Sequence, residues 1–282
     1  MGLRVNTNIA SINAQRNLRT TRQAMDKTLE KLSSGQRINR AGDDAAGLAI
    51  SENLKAQIRG LGQAERNAED GISLVQIAEG ALSEVSSILI RLRELAVQAA
   101  SDTIGSTERK FLNVEFEQLS SEIDRIANST EFNRVPLLNG SGSVFDIQIG
   151  TRNDPISDRL TFDASSADVN VAALGLNLAS VADKISAQNS LTSIDQSIIS
   201  VSGIRADFGA LQNRLQSTIN NIAVSIENLS SANSRVRDTD VARATAELTK
   251  NSILVQAGTS VLSQANAYSK NALQLIQSAA QV

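Results

Sequence analysis

The stretch NSILVQAGTSVLSQANAYSKNALQLIQSAAQV, residues 251–282, carries Leu254, Val261, Ala265, Tyr268, Ala272 and Ile276 at steps of three, four or seven residues. That spacing is the seam of a helix packing lengthwise on another helix. The seam is thin. Ordering a residue's backbone costs about 1–2 kcal/mol, and a large apolar side chain returns about 1.5–3 kcal/mol only when fully buried. About one residue in three faces this seam and several of those are Ala, so the helix, alone or with one partner, is marginal and needs further chains to complete it.

The other end mirrors it. Val5, Ile9, Ile12, Leu18, Met25, Leu29 and Leu32 mark an amphipathic helix, with one slip of phase between Ile12 and Leu18. SSGQRINRAGDDAAG, residues 33–47, breaks the periodicity with Gly and small polar residues, and Asp43 or Asp44 caps the next helix. From Leu54, a near-heptad seam runs through Ile58, Leu61, Ala68, Ile72, Val75 and Leu82, then Val85, Leu89, Leu92, Ala96 and Ala99, which predicts one long helix. After a turn at residues 101–106, Leu112, Phe116, Leu119, Ile123 and Ile126 predict a second helix, antiparallel to the first.

Past Asn128 the period changes to two. Both prolines, Pro136 and Pro155, fall here; Phe145, Ile147 and Ile149 alternate with polar residues, and Ile156, Leu160 and Phe162 continue after a bend. This reads as one or two β-hairpins. Residues 163–170, DASSADVN, read as an exposed crossover. The strongest seam comes next: Leu191, Ile194, Ile198, Val201, Ile204, Phe208, Leu211, Leu215, Ile219, Ile222, Ile226 and Leu229, every step three or four. Residues 232–242 link back to the terminal helix. The expected fold is mainly α: a long antiparallel coiled-coil bundle over 44–239, with a small β-hairpin region at about 130–162 and a short crossover at 163–182. Its N- and C-terminal helices, 1–43 and 240–282, are paired.

Composition narrows the function. The 282 residues include no Cys, no His and no Trp, and 2% are aromatic, so the usual general base, the thiolate nucleophile and the commonest metal ligands are missing. No enzyme activity and no cofactor are expected; Asp43 with Asp44, or Glu65 with Glu69, are carboxylate pairs of the kind that cap helices or sit on solvated faces. Lys and Arg are interspersed with Asp and Glu at a net charge of −3, which leaves no footprint for nucleic acid. No 18-residue apolar run exists to span a bilayer, so no membrane insertion is expected. The N-terminus has no signal-peptide core, and Asn6 breaks a myristoylation pattern.

GLRVNTNIASINAQRNL, LEKLSSGQRINRAGDDAAGLAI, LRELAVQAA, ALQNRLQSTINNI, NLSSANSRVRDTD and QAGTSVLSQAN, in that order, resemble bacterial flagellin over nearly everything outside residues 128–182. The resemblance implies a short form lacking the family's variable outer domains, with the terminal helices as inner filament core inside the outer bundle. It further implies an extracellular structural subunit, exported through the flagellar type III apparatus and polymerised helically with itself. Implied partners are an export chaperone, the filament cap and junction proteins. Core self-assembly falls to Val5, Ile9, Ile12, Leu18, Met25, Leu29, Leu254, Val261, Ala265, Tyr268, Ala272 and Ile276. LIRLRELAVQAA places Arg91 and Leu95, with Glu115 on the adjacent helix, where flagellins are detected by an innate-immune Toll-like receptor; packing of Leu95 and ordinary solvated charge at Arg91 and Glu115 is the competing account. Two departures stand out: the end IQSAAQV and Gly42, where a basic residue is common. A hook–filament junction protein and a monomeric coiled-coil adaptor are the alternatives.

Overall fold

Asn8 starts the first helix, α1 (Ile9–Ser34): its Oδ1 accepts the Ser11 N–H at 3.1 Å, filling one of the bonds that a helix N-terminus leaves open. The computed structural model describes residues 7–279, apart from the side chains at 269 and 272–279. The chain forms two compact units, one of Met1–Ala56 with Leu229–Val282 and one of Gln57–Asn228.

In the first unit α1 lies antiparallel to the last helix, α5 (Val241–Ala279). Asn8 Nδ2 donates to the Ala265 carbonyl at 2.8 Å, while at the other end Gln36 bridges Asp238. The two linkers pair directly: the Arg37 N–H donates to the Arg237 carbonyl at 2.6 Å, and the Thr239 N–H to the Gly35 carbonyl at 3.0 Å. Residues 33–47 are therefore a structured connection, with Ile38 buried. Asp44 caps α2 (Ala45–Ala99) through the Gly47 N–H at 2.8 Å. Asp43 instead ties the loop by accepting from the N–H groups of Asn39 and Arg40. The linker expected over 232–242 is shorter than that, because α4 (Lys184–Arg237) runs into it as far as Arg237 and α5 begins at Val241. NSRVR has no helix breaker, and the next helix starts directly behind Asp240, whose Oδ1 accepts the Arg243 N–H.

In the second unit α2, α3 (Ser106–Ser129) and α4 share one core that includes Val75, Leu82, Leu89, Leu92, Phe116, Ile123, Ile194, Val201, Phe208 and Leu215. Ion pairs set the direction: Glu79 meets Arg205 and Arg93 meets Asp195, so α4 runs antiparallel to α2. Arg109 of α3 donates to the carbonyls of Ala99 and Ser101, both at 2.8 Å, closing the end of α2. One window of α2 is long and apolar enough to cross a membrane by length and mean hydropathy, against the sequence expectation. Its apolar residues Val75, Leu82 and Leu89 are the bundle's own core.

Two antiparallel hairpins complete the second unit. β1 (Glu131–Phe132) pairs with β2 (Val135–Pro136), and β3 (Val144–Gln148) with β4 (Arg159–Asp163) in the register Phe145 to Phe162 and Ile147 to Leu160. The Phe162 ring lies 4.8 Å from that of Phe208, seating the second hairpin on α4. Ile156 is not part of the strand; it projects from the loop into solvent. The segment 163–170 departs from expectation too. It is packed rather than exposed: Ala164, Ala167 and Val169 are buried, and the Val169 N–H donates to the Leu138 carbonyl at 2.9 Å. Small residues there let the chain lie flat on the core, which composition alone represents as polarity.

Candidate self-assembly surface

The α1–α5 contact uses a strict three-four repeat. On α1 it runs through Ser11, Ala14, Leu18, Thr21, Met25 and Thr28, and on α5 through Ala244, Leu248, Asn251, Val255, Gly258, Leu262 and Ala265, all buried or half-buried. Eight of the thirteen are small or polar, which lets two helices approach closely, and Leu18, Met25, Leu248, Val255 and Leu262 supply the seam's larger apolar side chains. At Gly258 a Cβ would lie 3.2 Å from Leu18 Cδ1, so the absence of a side chain admits the one large apolar residue of α1 that is buried. Polar ties complete the seam: Ser11 Oγ donates to Asn266 Oδ1 at 2.9 Å.

A second set of larger apolar residues faces away. Leu254, Val261 and Tyr268, at seven-residue steps, are exposed, roughly a quarter-turn around α5 from the seam. Ile253 and Val241 are exposed as well. On α1, Ile9 and Ile12 are exposed, roughly opposite the seam, and Leu29 flanks it. Of the residues assigned from sequence, Leu18, Met25 and Ala265 thus serve the contact within the chain, and Ile9, Ile12, Leu29, Leu254, Val261 and Tyr268 form an uncovered apolar surface. Val5, and the side chains of Ala272 and Ile276, lie outside the described residues. On α5 the signal of this seam is Leu248, Val255 and Leu262 at seven-residue steps, a heptad passed over in favour of Leu254, Val261 and Tyr268.

In the second unit Arg91 is half-exposed and bridges two carboxylates, Glu115 at 2.8 Å and Glu94 at 2.9 Å. Hydrogen bonding to Glu115, then to Glu94, pushes the Arg91 guanidinium above its ordinary value. Leu95 is not on that surface; it is fully buried in the bundle core. Ile90 and Val97 on α2, with Phe111 and Val114 on α3, are exposed.

The bacterial flagellin N-terminal helical region matches residues 5–143, and the flagellin C-terminal helical region matches residues 191–276. The chain is 45% identical over 273 residues to a flagellin of Halalkalibacterium halodurans, covering 97% of this chain and 99% of that one. The chain belongs to the bacterial flagellin family. It is 44% identical over 305 residues to a flagellin of Bacillus subtilis, covering 98% of this chain and 100% of the other. The crystal structure of Bacillus cereus flagellin matches at a TM-score of 0.50 and 33% identity, over 60% of this chain and 94% of that one. Near-complete mutual coverage with relatives of this size makes it a short-form flagellin. This flagellin is a structural subunit of the flagellar filament, outside the cell, and its family is one of structural proteins.

Proposed function

We propose that this flagellin builds its filament by covering the apolar surface of α1 and α5 with the same helices of neighbouring copies. Residues 1–43 and 240–282 form the inner core, and 44–239 the outer bundle around it. The observation that carries this reading is the division of labour on α5. Its seam with α1 uses Leu248, Val255 and Leu262 together with the small or polar Ala244, Asn251, Gly258 and Ala265, while a second apolar stripe, Leu254, Val261 and Tyr268, stands uncovered at heptad spacing. A helix pair that leaves a second apolar stripe uncovered within one chain gains further apolar burial between chains. Contacts of this kind are heterologous and do not close, so they extend into a helical polymer. The role rests on surface rather than on catalysis.

Before assembly the same surface is what an export chaperone would cover on the way to the flagellar type III apparatus. After assembly, the cap and junction proteins meet it at the filament's ends. A chain without Cys passes through export with no disulfide to hold it folded. On the bundle, Arg91 and Glu115 are the charged groups that a Toll-like receptor would meet, with Leu95 beneath them supporting the helix by packing. Brief proteolysis tests the core assignment. Trimming about 40 residues from each end is expected to leave a folded, monomeric middle that never sediments as filament, whereas the full chain does. Filaments from the trimmed protein would overturn it.

A further inference from the structure

The loop between the two hairpins contains Asn139–Gly140, the one Asn–Gly pair in the sequence. Asn139 Oδ1 accepts two hydrogen bonds from Ser141, from its N–H at 3.1 Å and from its Oγ–H at 2.7 Å. Both draw electron density from the side-chain carbonyl and stabilise negative charge developing on its oxygen. The amide nitrogen of the same side chain is loosely held, 3.4 Å from Asn128 Oδ1. Gly140 has a φ of 72 and no side chain, and its N–H has no acceptor among the described residues. An electrophile polarised by two donors therefore stands one residue before an unencumbered backbone nitrogen.

We infer that Asn139 is a site of spontaneous deamidation, an ageing modification built into this loop. Hydroxide takes the Gly140 N–H proton, and the nitrogen bonds to Asn139 Cγ. The Cγ–Nδ2 bond breaks, ammonia leaves with a proton from water, and a five-membered succinimide joins the two residues. Water then opens one of the two ring C–N bonds. One opening leaves an ordinary aspartate in place of Asn139; the other leaves isoaspartate, in which the backbone runs through the former side chain. No oxidant or reductant is involved.

The surroundings give the product a structural consequence. Asp168 packs on Gly140 so closely that a Cβ there would lie 2.5 Å from its Oδ2. The Asn139 carbonyl accepts Asn170 Nδ2 at 3.0 Å, beside the bond from Val169 N–H to the Leu138 carbonyl. Deamidation adds a carboxylate on the residue next to Gly140, against which Asp168 packs, and isoaspartate also lengthens the backbone by one carbon at the point where 137–142 is fastened to 167–171. The clasp over the buried residues Leu137, Leu138 and Val169 loosens.

The test is ageing of the full chain at mildly alkaline pH, followed by peptide mapping that separates Asn, Asp and isoaspartate. Asn139 is expected to convert faster than every other Asn, and at least as fast in the folded chain as in urea. Ser141→Ala is expected to slow conversion in the folded chain by about two- to tenfold, the effect of losing one hydrogen bond, and to leave the urea rate unchanged. Asn139→Asp, which needs no ageing, reports the consequence as a lower thermal midpoint than that of Asn139→Gln. Conversion of Asn139 slower in the folded chain than in urea, or a Ser141→Ala rate equal to the parent's, would overturn the inference.

Discussion

Replacing Leu254, Val261 and Tyr268 together by Ala removes the uncovered stripe of α5 without adding charge or breaking the helix, since Ala has the highest helix propensity. The three side chains are 46%, 59% and 64% exposed in the single chain. Full burial of such a residue is worth about 1.5–3 kcal/mol, so covering the exposed half returns about 1 kcal/mol each, about 3 kcal/mol per subunit in all. At 1.4 kcal/mol per tenfold, the concentration of monomer left in equilibrium with filament rises by about a hundredfold. Pelleting across a concentration series measures that quantity directly. Circular dichroism of the monomer checks that the bundle is intact, and its thermal midpoint is expected to stay within about 2 °C of the parent's, because none of the three residues belongs to the bundle core. A critical concentration within a factor of about two of the parent's would refute the assignment of this stripe to contacts between copies.

Three further outcomes rest on particular contacts. Deleting residues 163–170 removes the buried Ala164, Ala167 and Val169 and is expected to cost the second unit about 2–4 kcal/mol, seen as a lower urea midpoint; an unchanged midpoint would show that the segment does not cover the core. Arg109→Ala frees the Ala99 and Ser101 carbonyls and is expected to cost about 1–3 kcal/mol in the same assay, with Arg109→Lys recovering only part of it. The backbone N–H groups of Arg40, then Asn39, hold the Asp43 carboxyl below its ordinary 3.8. Its contribution is complete above that value and is lost as the pH falls through the lower folded one, so amide exchange protection at Asn39 and Arg40 should be flat from neutral pH to about 5 and drop only in stronger acid; loss already complete at pH 5 would contradict this.

The helices of the bundle were legible because their burial is carried by large apolar residues. Val75, Leu82, Val85, Leu89 and Leu92, like Ile194, Val201, Phe208 and Leu215, occupy seam positions that hydrophobic spacing marks and the structure buries. The pairing of α1 with α5 was expected as well, but the residues that make it were not, since Ser11, Thr28, Ala244 and Gly258 are small and hydropathy gives such residues no weight, and Leu248, Val255 and Leu262 lie on a second heptad beside the one that was marked. The apolar residues that spacing did mark, Leu254, Val261 and Tyr268, proved to be the surface turned away from α1. They drew attention to the need for other chains and away from the face that α5 turns to α1. The first hairpin falls inside the region where one or two hairpins were expected, but its position was not marked. Its two-residue turn places Asn133 and Arg134 at φ of 49 and 64, and Arg in the second position masks the usual Asn–Gly signal. Arg91 and Glu115 were recoverable only through the family resemblance, and burial of Leu95 was an alternative that periodicity left open.

The central claim, that the exposed stripe of α5 is covered by neighbouring copies in the filament, is tested most directly by chemical accessibility at Val261. The chain has no Cys, so Val261→Cys supplies a single thiol whose alkylation rate is followed in dilute monomer and in sedimented filament. The thiol is expected to react freely in the monomer, where the parent side chain is 59% exposed, and to be protected by at least about tenfold once filaments form. Equal alkylation rates in monomer and filament would contradict the account.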